Sequence, residues 1–253
     1  SFPLFQTFAL PNPSASPILY RVKKIDKPID SWTFRKWQDK TLMSFTLLMV
    51  LSLMAVISRP GWVTLALFVI LAGLWLLVVY FFRDPDREIL DEPGLVVGPG
   101  DGKVVAIETM HEERYIKVNT VRISIFLSIL DVHVQRVPFA GKVTTVEHRP
   151  GVFLQAFKPE ASKLNDRISM VIETAHGPIL VDQIAGILAR RCINYAHPGD
   201  DLLIGQRYGL IKFGSRVDLY LPPEAEIMVE LGDQVYGGLT PIARLGDHGS
   251  TDA

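Results

Sequence analysis

The sequence predicts a mainly β protein behind an N-terminal two-helix membrane hairpin. Three observations carry that expectation. Two uncharged apolar stretches stand close together within residues 41–82; the 171 residues from Arg83 onward consist of short β-branched runs; and Gly, Pro and Asp punctuate those runs at short intervals.

The hairpin comes first. Residues 62–82 contain no charge and only Thr64 and Gly73 outside the strongly apolar set. As a helix they reach roughly 31 Å, enough for a hydrocarbon core, and residues 41–58 reach roughly 27 Å. Between them Arg59-Pro60-Gly61 is a turn signal. Forty residues precede the first stretch and no small-residue cleavage site follows it, which argues against a signal peptide. Trp62 at one end of the second stretch and Tyr80-Phe81-Phe82 at the other suit membrane interfaces better than a buried core pair. Seven basic residues before the hairpin (Arg21, Lys23, Lys24, Lys27, Arg35, Lys36, Lys40) face three Asp, and Arg83 and Arg87 follow it. Both ends are therefore expected in the cytoplasm, with the chain in the cell (inner) membrane. The apolar excess is local, since the whole chain has net charge -1 and mean hydropathy +0.24. The single Cys192 allows no internal disulfide and fits a reducing compartment. Residues 1–20 and the end from about Gly246 read as loose tails.

From Arg83 the expected strands are Leu95–Val97, Val104–Glu108, Tyr115–Val118, Val121–Leu127, Lys142–Glu147, Ile168–Thr174, Ile179–Ile184, Leu210–Phe213, Val217–Leu221, Glu226–Glu230 and Ile242–Leu245. Gly186–Ala196 fits a strand or a short helix equally. An internal repeat is visible: Gly199-Asp200-Asp201-Leu202-Leu203-Ile204-Gly205 and Gly232-Asp233-Gln234-Val235-Tyr236-Gly237-Gly238 share G-D-x-φ-φ-x-G, and Gly102-Lys103-Val104 recurs as Gly141-Lys142-Val143. Duplicated hairpins of a barrel-sandwich kind and two unrelated turns both explain it.

Three neighbourhoods hold chemistry. Gly214-Ser215 lies between an apolar run (Leu210, Ile211, Phe213) and an alternating one (Val217, Leu219, Leu221). Glycine lacks a Cβ, so its carbonyl can be bent into reach of the serine hydroxyl, and attack there moves the acyl group from nitrogen to oxygen. Elimination and hydrolysis then leave a pyruvoyl ketone. Asp101 stands in a Gly-rich turn, Gly98-Pro99-Gly100-Asp101-Gly102-Lys103. His133 falls in line with Asp131 if Leu130–Pro138 is extended. Asp101, His133 and Ser215 supply a carboxylate, a base and a nucleophile. The remaining histidines show no metal-ligand spacing, and the basic residues form no aromatic-interleaved patch, so neither a metal nor nucleic acid is expected.

In these residues the chain resembles the phosphatidylserine decarboxylases in their short bacterial and archaeal form. The likeness runs through Phe81-Phe82-Arg83-Asp84-Pro85-Asp86-Arg87, Pro99-Gly100-Asp101-Gly102-Lys103-Val104, Asp131-Val132-His133-Val134-Gln135-Arg136-Val137-Pro138, Ile184-Ala185-Gly186 with Ala189-Arg190-Arg191, and Gly209 to Pro222. The resemblance implies a proenzyme in three parts: a cytoplasmic tail (1–40), a membrane hairpin (41–82) and a decarboxylase domain (83–253). It also implies self-cleavage between Gly214 and Ser215 into a β chain (1–214) and an α chain (215–253). These form a heterodimer, with a higher homo-oligomer left open. Ser215 becomes the pyruvoyl cofactor that takes the amine of membrane phosphatidylserine as a Schiff base. Asp101 and His133 fall on the self-processing triad, His133 taking the hydroxyl proton and Asp101 holding its ring. The product is phosphatidylethanolamine, for phospholipid biosynthesis. Two departures stand out. Gly98-Pro99-Gly100 stands where the family has Ser-Pro-Ala, and Arg136 stands where longer members carry a second histidine. A membrane-anchored serine hydrolase using the same three residues and a non-catalytic barrel-sandwich adaptor remain alternatives.

Overall fold

The computed structural model describes residues 22–23, 40–156, 160–187, 192–211 and 215–246. Two compact units emerge, residues 26–85 and the β-rich remainder. In the first, α1 (Lys40–Ser58) and α2 (Trp62–Phe81) occupy the two apolar stretches. A core helix would bury an apolar stripe. Here Leu47, Met54, Ile57, Trp62, Ile70 and Leu76 are all exposed, and both helices are long and apolar enough to cross a membrane. Their hydroxyls return to the backbone, Thr46 Oγ1 to the Leu42 carbonyl at 2.9 Å and Ser52 Oγ to that of Met49 at 2.7 Å. Trp75 Nε1 donates to Thr46 Oγ1 across the hairpin at 2.9 Å. Beyond α2 the Arg83 guanidinium lies 3.8 Å over the Tyr80 ring.

The β-rich unit contains β1 (Val22–Lys23), β2 (Ile89–Leu90), β3 (Leu95–Val97), β4 (Gly102–His111), β5 (Asn119–Leu127), β6 (Val134–Arg136), β7 (Gly141–Arg149), β8 (Arg167–Thr174), β9 (Gly177–Ile184), β10 (Cys192–Asn194), β11 (Asp201–Leu202), β12 (Arg207–Ile211), β13 (Ser215–Leu221), β14 (Glu226–Ile227), β15 (Gln234–Val235) and β16 (Pro241–Arg244). A short helix, α3 (Ala161–Leu164), precedes β8. The main sheet is an antiparallel, curled half-barrel with order β11-β7-β8-β9-β13-β5-β4-β15, and three-stranded sheets β10-β12-β6 and β14-β16-β3 accompany it. Alternation builds the core. Val217, Leu219 and Leu221 share a face with Ile123, Ile125 and Leu127 of β5 and with Val181 of β9, all buried in one cluster.

The sequence repeat is a structural one. Asp201-Leu202 pairs with Lys142-Gly141, and Gln234-Val235 pairs with Lys103-Gly102 in the same register. Gly199 N–H donates to the Val143 carbonyl at 2.8 Å, and Gly232 N–H to that of Val104 at 2.9 Å. Each copy needs glycine where the backbone turns left-handed, at Gly199 and Gly232 (φ +99° in both). Each also needs one where strands close up: a Cβ on Gly102 would overlap the Phe126 carbonyl, and one on Gly141 that of Glu173. The copies differ in chemistry, for Asp101 before Gly102 corresponds to Ala140 before Gly141.

Two expectations need correction and one open alternative is decided. Tyr115–Val118 is a loop, because the Glu112 carboxylate captures the N–H groups of Arg114, Tyr115 and Ile116 at 3.0, 2.8 and 2.8 Å and so bends a segment whose composition favours a strand. Gly186–Ala196 contributes the strand Cys192–Asn194, with residues 188–191 outside the described ones. The extended stretch expected around His133 begins only at Val134, because Asp131 closes a turn by accepting Ser128 N–H at 2.8 Å. The tails, 1–20 and 247–253, lie outside the described residues.

Candidate active site

Ser215 opens β13, the strand held between β9 and β5, and its backbone is paired with Leu127. Alternation turns its side chain toward the apolar face with Val217. It is fully buried, and its Oγ has no hydrogen-bond partner among the described residues. A buried hydroxyl in that condition is destabilising, which marks it for explanation. Gly214 lies outside the described residues, as do Lys212 and Phe213.

His133 sits just before β6 and is also fully buried. Its Nδ1 lies 3.0 Å from the Asp131 carbonyl oxygen. A carbonyl only accepts, so Nδ1 carries a proton, and Nε2 is the ring nitrogen that can act as a base. The His133 carbonyl is fixed from two directions, accepting from Ile211 N–H at 3.3 Å and from Gln135 Nε2 at 2.7 Å. Beneath it Gln183 Nε2 donates to Gln135 Oε1 at 2.9 Å and to the Ile193 carbonyl at 3.1 Å. The Ile211 bond matters most for geometry. Three residues separate Ile211 from Ser215, so the four steps of chain from the His133 partner to the Leu127 partner span at most roughly 14 Å.

Asp101 has other partners than those expected. Arg87 grips both carboxylate oxygens, Nη1 to Oδ1 at 2.6 Å and Nη2 to Oδ2 at 2.7 Å, and Gly237 N–H donates to Oδ1 at 2.8 Å. Arg87 Nη1 also donates to the Gly237 carbonyl at 2.5 Å, and the side chains of the pair are each 5% exposed. Among the described residues the donors to Asp101 are Arg87 and the Gly237 N–H, while the His133 ring meets the Asp131 carbonyl. The Asp101 turn nonetheless reaches the same place. The Cβ position of Gly100 is 3.6 Å from Leu127 Cδ2 and 4.0 Å from Gln135 Cγ. Leu127, the partner of Ser215, and Gln135, the brace of His133, thus bring the three segments together.

Sequence reading missed Arg87, Gln135 and Gln183 here. By sequence Arg87 is one of the two basic residues that follow the hairpin; in the structure its side chain is buried against Asp101. The only signal was its place in the Arg83-to-Arg87 exit motif.

Fold and site together define a β protein with a two-helix apolar hairpin, a buried serine at the start of a central strand and a buried histidine just before β6. The chain belongs to the phosphatidylserine decarboxylase family: the family model described as "Phosphatidylserine decarboxylase" matches residues 74–243. Relatives named "Phosphatidylserine decarboxylase proenzyme" include one from Symbiobacterium thermophilum, 44% identical over 206 residues that span 75% of this chain and 96% of the relative. One from Burkholderia multivorans is 42% identical over 207 residues, with the same shares covered. One from Carboxydothermus hydrogenoformans is 46% identical over 173 residues, 68% of this chain and 81% of the relative.

Proposed function

We propose that this chain is a proenzyme that cuts itself between Gly214 and Ser215 and then decarboxylates phosphatidylserine to phosphatidylethanolamine and CO₂, with a pyruvoyl group made from Ser215. The observation that carries the reading is the buried, unpartnered Ser215 Oγ, at the end of a three-residue segment that leaves the strand tied to the His133 carbonyl. The family membership supports the same reading.

In the precursor, His133 Nε2 takes the hydroxyl proton of Ser215 while the Asp131 carbonyl steadies the resulting cation through Nδ1. Ser215 Oγ bonds to the Gly214 carbonyl carbon, the Gly214–Ser215 C–N bond breaks, and the amine nitrogen takes the proton, leaving an ester. Loss of the Ser215 Cα proton expels Gly214 as a carboxylate. Residue 215 is left as dehydroalanine, which water converts to the ketone with release of ammonia. The role of the Arg87–Asp101 pair is to hold the Gly100–Gly102 turn against Leu127 and Gln135, so Asp101 acts by positioning.

The site fits the group. It forms from a buried hydroxyl without a partner among the described residues, on an apolar face that excludes water, and Arg216 anchors the residue behind it through Asp218 (Nε to Oδ1, 2.5 Å) and Ser124 (Nη2 to Oγ, 2.7 Å). A pyruvoyl ketone supplies the electron sink for loss of CO₂ from an α-amino carboxylate. His133 then returns a proton to the carbon that lost CO₂. After scission the chains 1–214 and 215–253 stay together, because β13 is paired along its length with β5 and also with β9. The hairpin within 41–82 keeps the domain 83–253 at the cytoplasmic surface of the cell membrane, where a diacyl lipid remains.

The test is decarboxylation by the purified full chain in mixed micelles with phosphatidylserine. The expected result is release of CO₂ and phosphatidylethanolamine by the parent and none by Ser215→Ala. A Ser215→Ala chain that still releases CO₂ overturns the proposal.

A further inference from the structure

The two faces of β13 lead to different places. Ser215, Val217, Leu219 and Leu221 point into the apolar core, so Arg216, Asp218 and Tyr220 point the other way. That second face is also buried, with Arg216 2%, Asp218 0% and Tyr220 5% exposed. Near Arg216 it is closed: Asp218 accepts from Arg216 and, at 2.9 Å, from Ser162 Oγ. Farther along the strand it opens into a cavity of about 250 Å³, whose lining includes Arg114, Tyr115, Arg122, Arg167, Asp182 and Tyr220. Pairing fixes its place, since Arg122 stands opposite Tyr220 and Asp182 opposite Asp218. The cavity is therefore on the face away from Ser215 and roughly 10 to 17 Å along the strand from it.

Its chemistry is that of a donor array. Arg122 and Arg167 are buried guanidinium groups, and Arg114 reaches the cavity from the exposed loop. Three lining carboxylates, Glu112, Glu113 and Asp182, and the neighbouring Glu108 could neutralise them, and of these Glu113 is exposed to solvent. Glu112 is already occupied by the loop amides of Arg114, Tyr115 and Ile116. Glu108 takes one nitrogen of Arg122, Nη2, at the half-exposed rim. Asp182 is buried, and its burial, with Asp218 and Glu112 nearby, outweighs the opposing pull of Ser169 and Arg114 and lifts its pKa to about 7. A proton held there makes it a donor. Arg122 Nε, Arg167 Nε, Tyr115 Oη, Ser169 Oγ and Asp182 Oδ1 are all buried without a hydrogen-bond partner. Ser169 is paired with Asp182 and close enough to favour its charged form, though outside hydrogen-bond geometry. Burial also keeps the Tyr115 and Tyr220 phenols protonated. So many idle polar groups around one cavity are unusual in a folded protein.

We propose that this cavity is a binding site, separate from Ser215, for a phosphate-type oxyanion held by Arg114, Arg122 and Arg167. Planar guanidinium forks match tetrahedral oxyanions, and buried hydroxyl donors complete such a shell. The volume admits a phosphate or a glycerophospho headgroup but not two acyl chains. Inorganic phosphate and a lipid headgroup share this chemistry, and the test separates them.

The full chain in detergent, carrying Ser215→Ala so that it is one species, is titrated with inorganic phosphate and with glycerophosphoserine by isothermal calorimetry. Binding is read directly and does not depend on the decarboxylase reading. Saturable binding is expected, weakened about tenfold by Arg122→Gln and by Arg114→Gln and unchanged by the surface substitution Arg244→Gln. Arg114 lies on the exposed loop, so its variant keeps the fold if Arg122→Gln does not. Tighter binding of phosphate assigns the site to a soluble oxyanion, and tighter binding of glycerophosphoserine to a lipid headgroup; either supports the proposal. It is overturned if neither ligand saturates, if both Arg114→Gln and Arg122→Gln bind as the parent does, or if binding is lost with His133→Ala instead. The cavity then holds water only, or the ligand sits at Ser215.

Discussion

Replacing Arg87 by methionine removes both side-chain donors to Asp101 and leaves a carboxylate that is 5% exposed with only the Gly237 N–H. Breaking a buried ion pair from one side costs about 3–5 kcal/mol, because the surviving charge is neither paired nor solvated. For a domain of this size that is a fall in Tm of about 6 to 20 °C. Differential scanning of the uncut Ser215→Ala chain in detergent reads this without interference from cleavage. Arg87→Met with Asp101→Asn together should recover most of the loss, since no buried charge then remains. The same Arg87→Met change in the cleavable chain should slow the appearance of the 215–253 fragment, as the Gly100–Gly102 turn loosens against Leu127 and Gln135. If the two single losses add to within about 0.5 kcal/mol in the double variant, the pair is not coupled and its positioning role is refuted.

Other expectations follow from the same geometry. His133→Ala should leave the chain uncut on denaturing gels while its melting stays cooperative; cleavage at the parental rate would remove His133 from the mechanism. Gly102→Ala and Gly141→Ala should each destabilise by roughly 1–3 kcal/mol or more, because the new methyl meets a backbone carbonyl that cannot step aside; chemical unfolding that shows no change would mean the strands approach less closely. The raised pKa of Asp182 gives a pH slope. Between about pH 4 and pH 7 the folded chain keeps a proton the unfolded chain has lost, so stability falls as pH rises, by up to roughly 4 kcal/mol. Asp182→Asn cannot ionise and should flatten that slope in unfolding titrations; an unaltered slope would place its origin elsewhere.

Much of this architecture was legible in the residues. Uncharged runs at 41–58 and 62–82 became α1 and α2 because no polar face offered an alternative. Alternation at Val217, Leu219 and Leu221 located the core face of β13, and the G-D-x-φ-φ-x-G pair marked a true duplication. What escaped was decided at long range. Arg216 and Asp218 alternate with the apolar positions of β13, yet they and Asp182 are buried, and a period of two says nothing about what lies above a sheet. Tyr115–Val118 had strand composition, but one carboxylate at Glu112 outbid a ladder for its amides. The order Asp101, His133, Ser215 suggested a triad, whereas the contacts of Asp101 come from Arg87, 14 positions before it, and from Gly237, 136 positions after it. Neither spacing has a local signature.

The central claim is that Ser215 cuts the main chain before it and is converted to a ketone. Intact-mass spectrometry of the purified chain under denaturing conditions tests it most directly. The account expects two polypeptides divided between Gly214 and Ser215, the shorter one lighter than an ordinary serine-initiated fragment by the elements of ammonia, and a single uncut species for Ser215→Ala. An intact parent chain, or a short fragment that begins with a free serine amine, would contradict it.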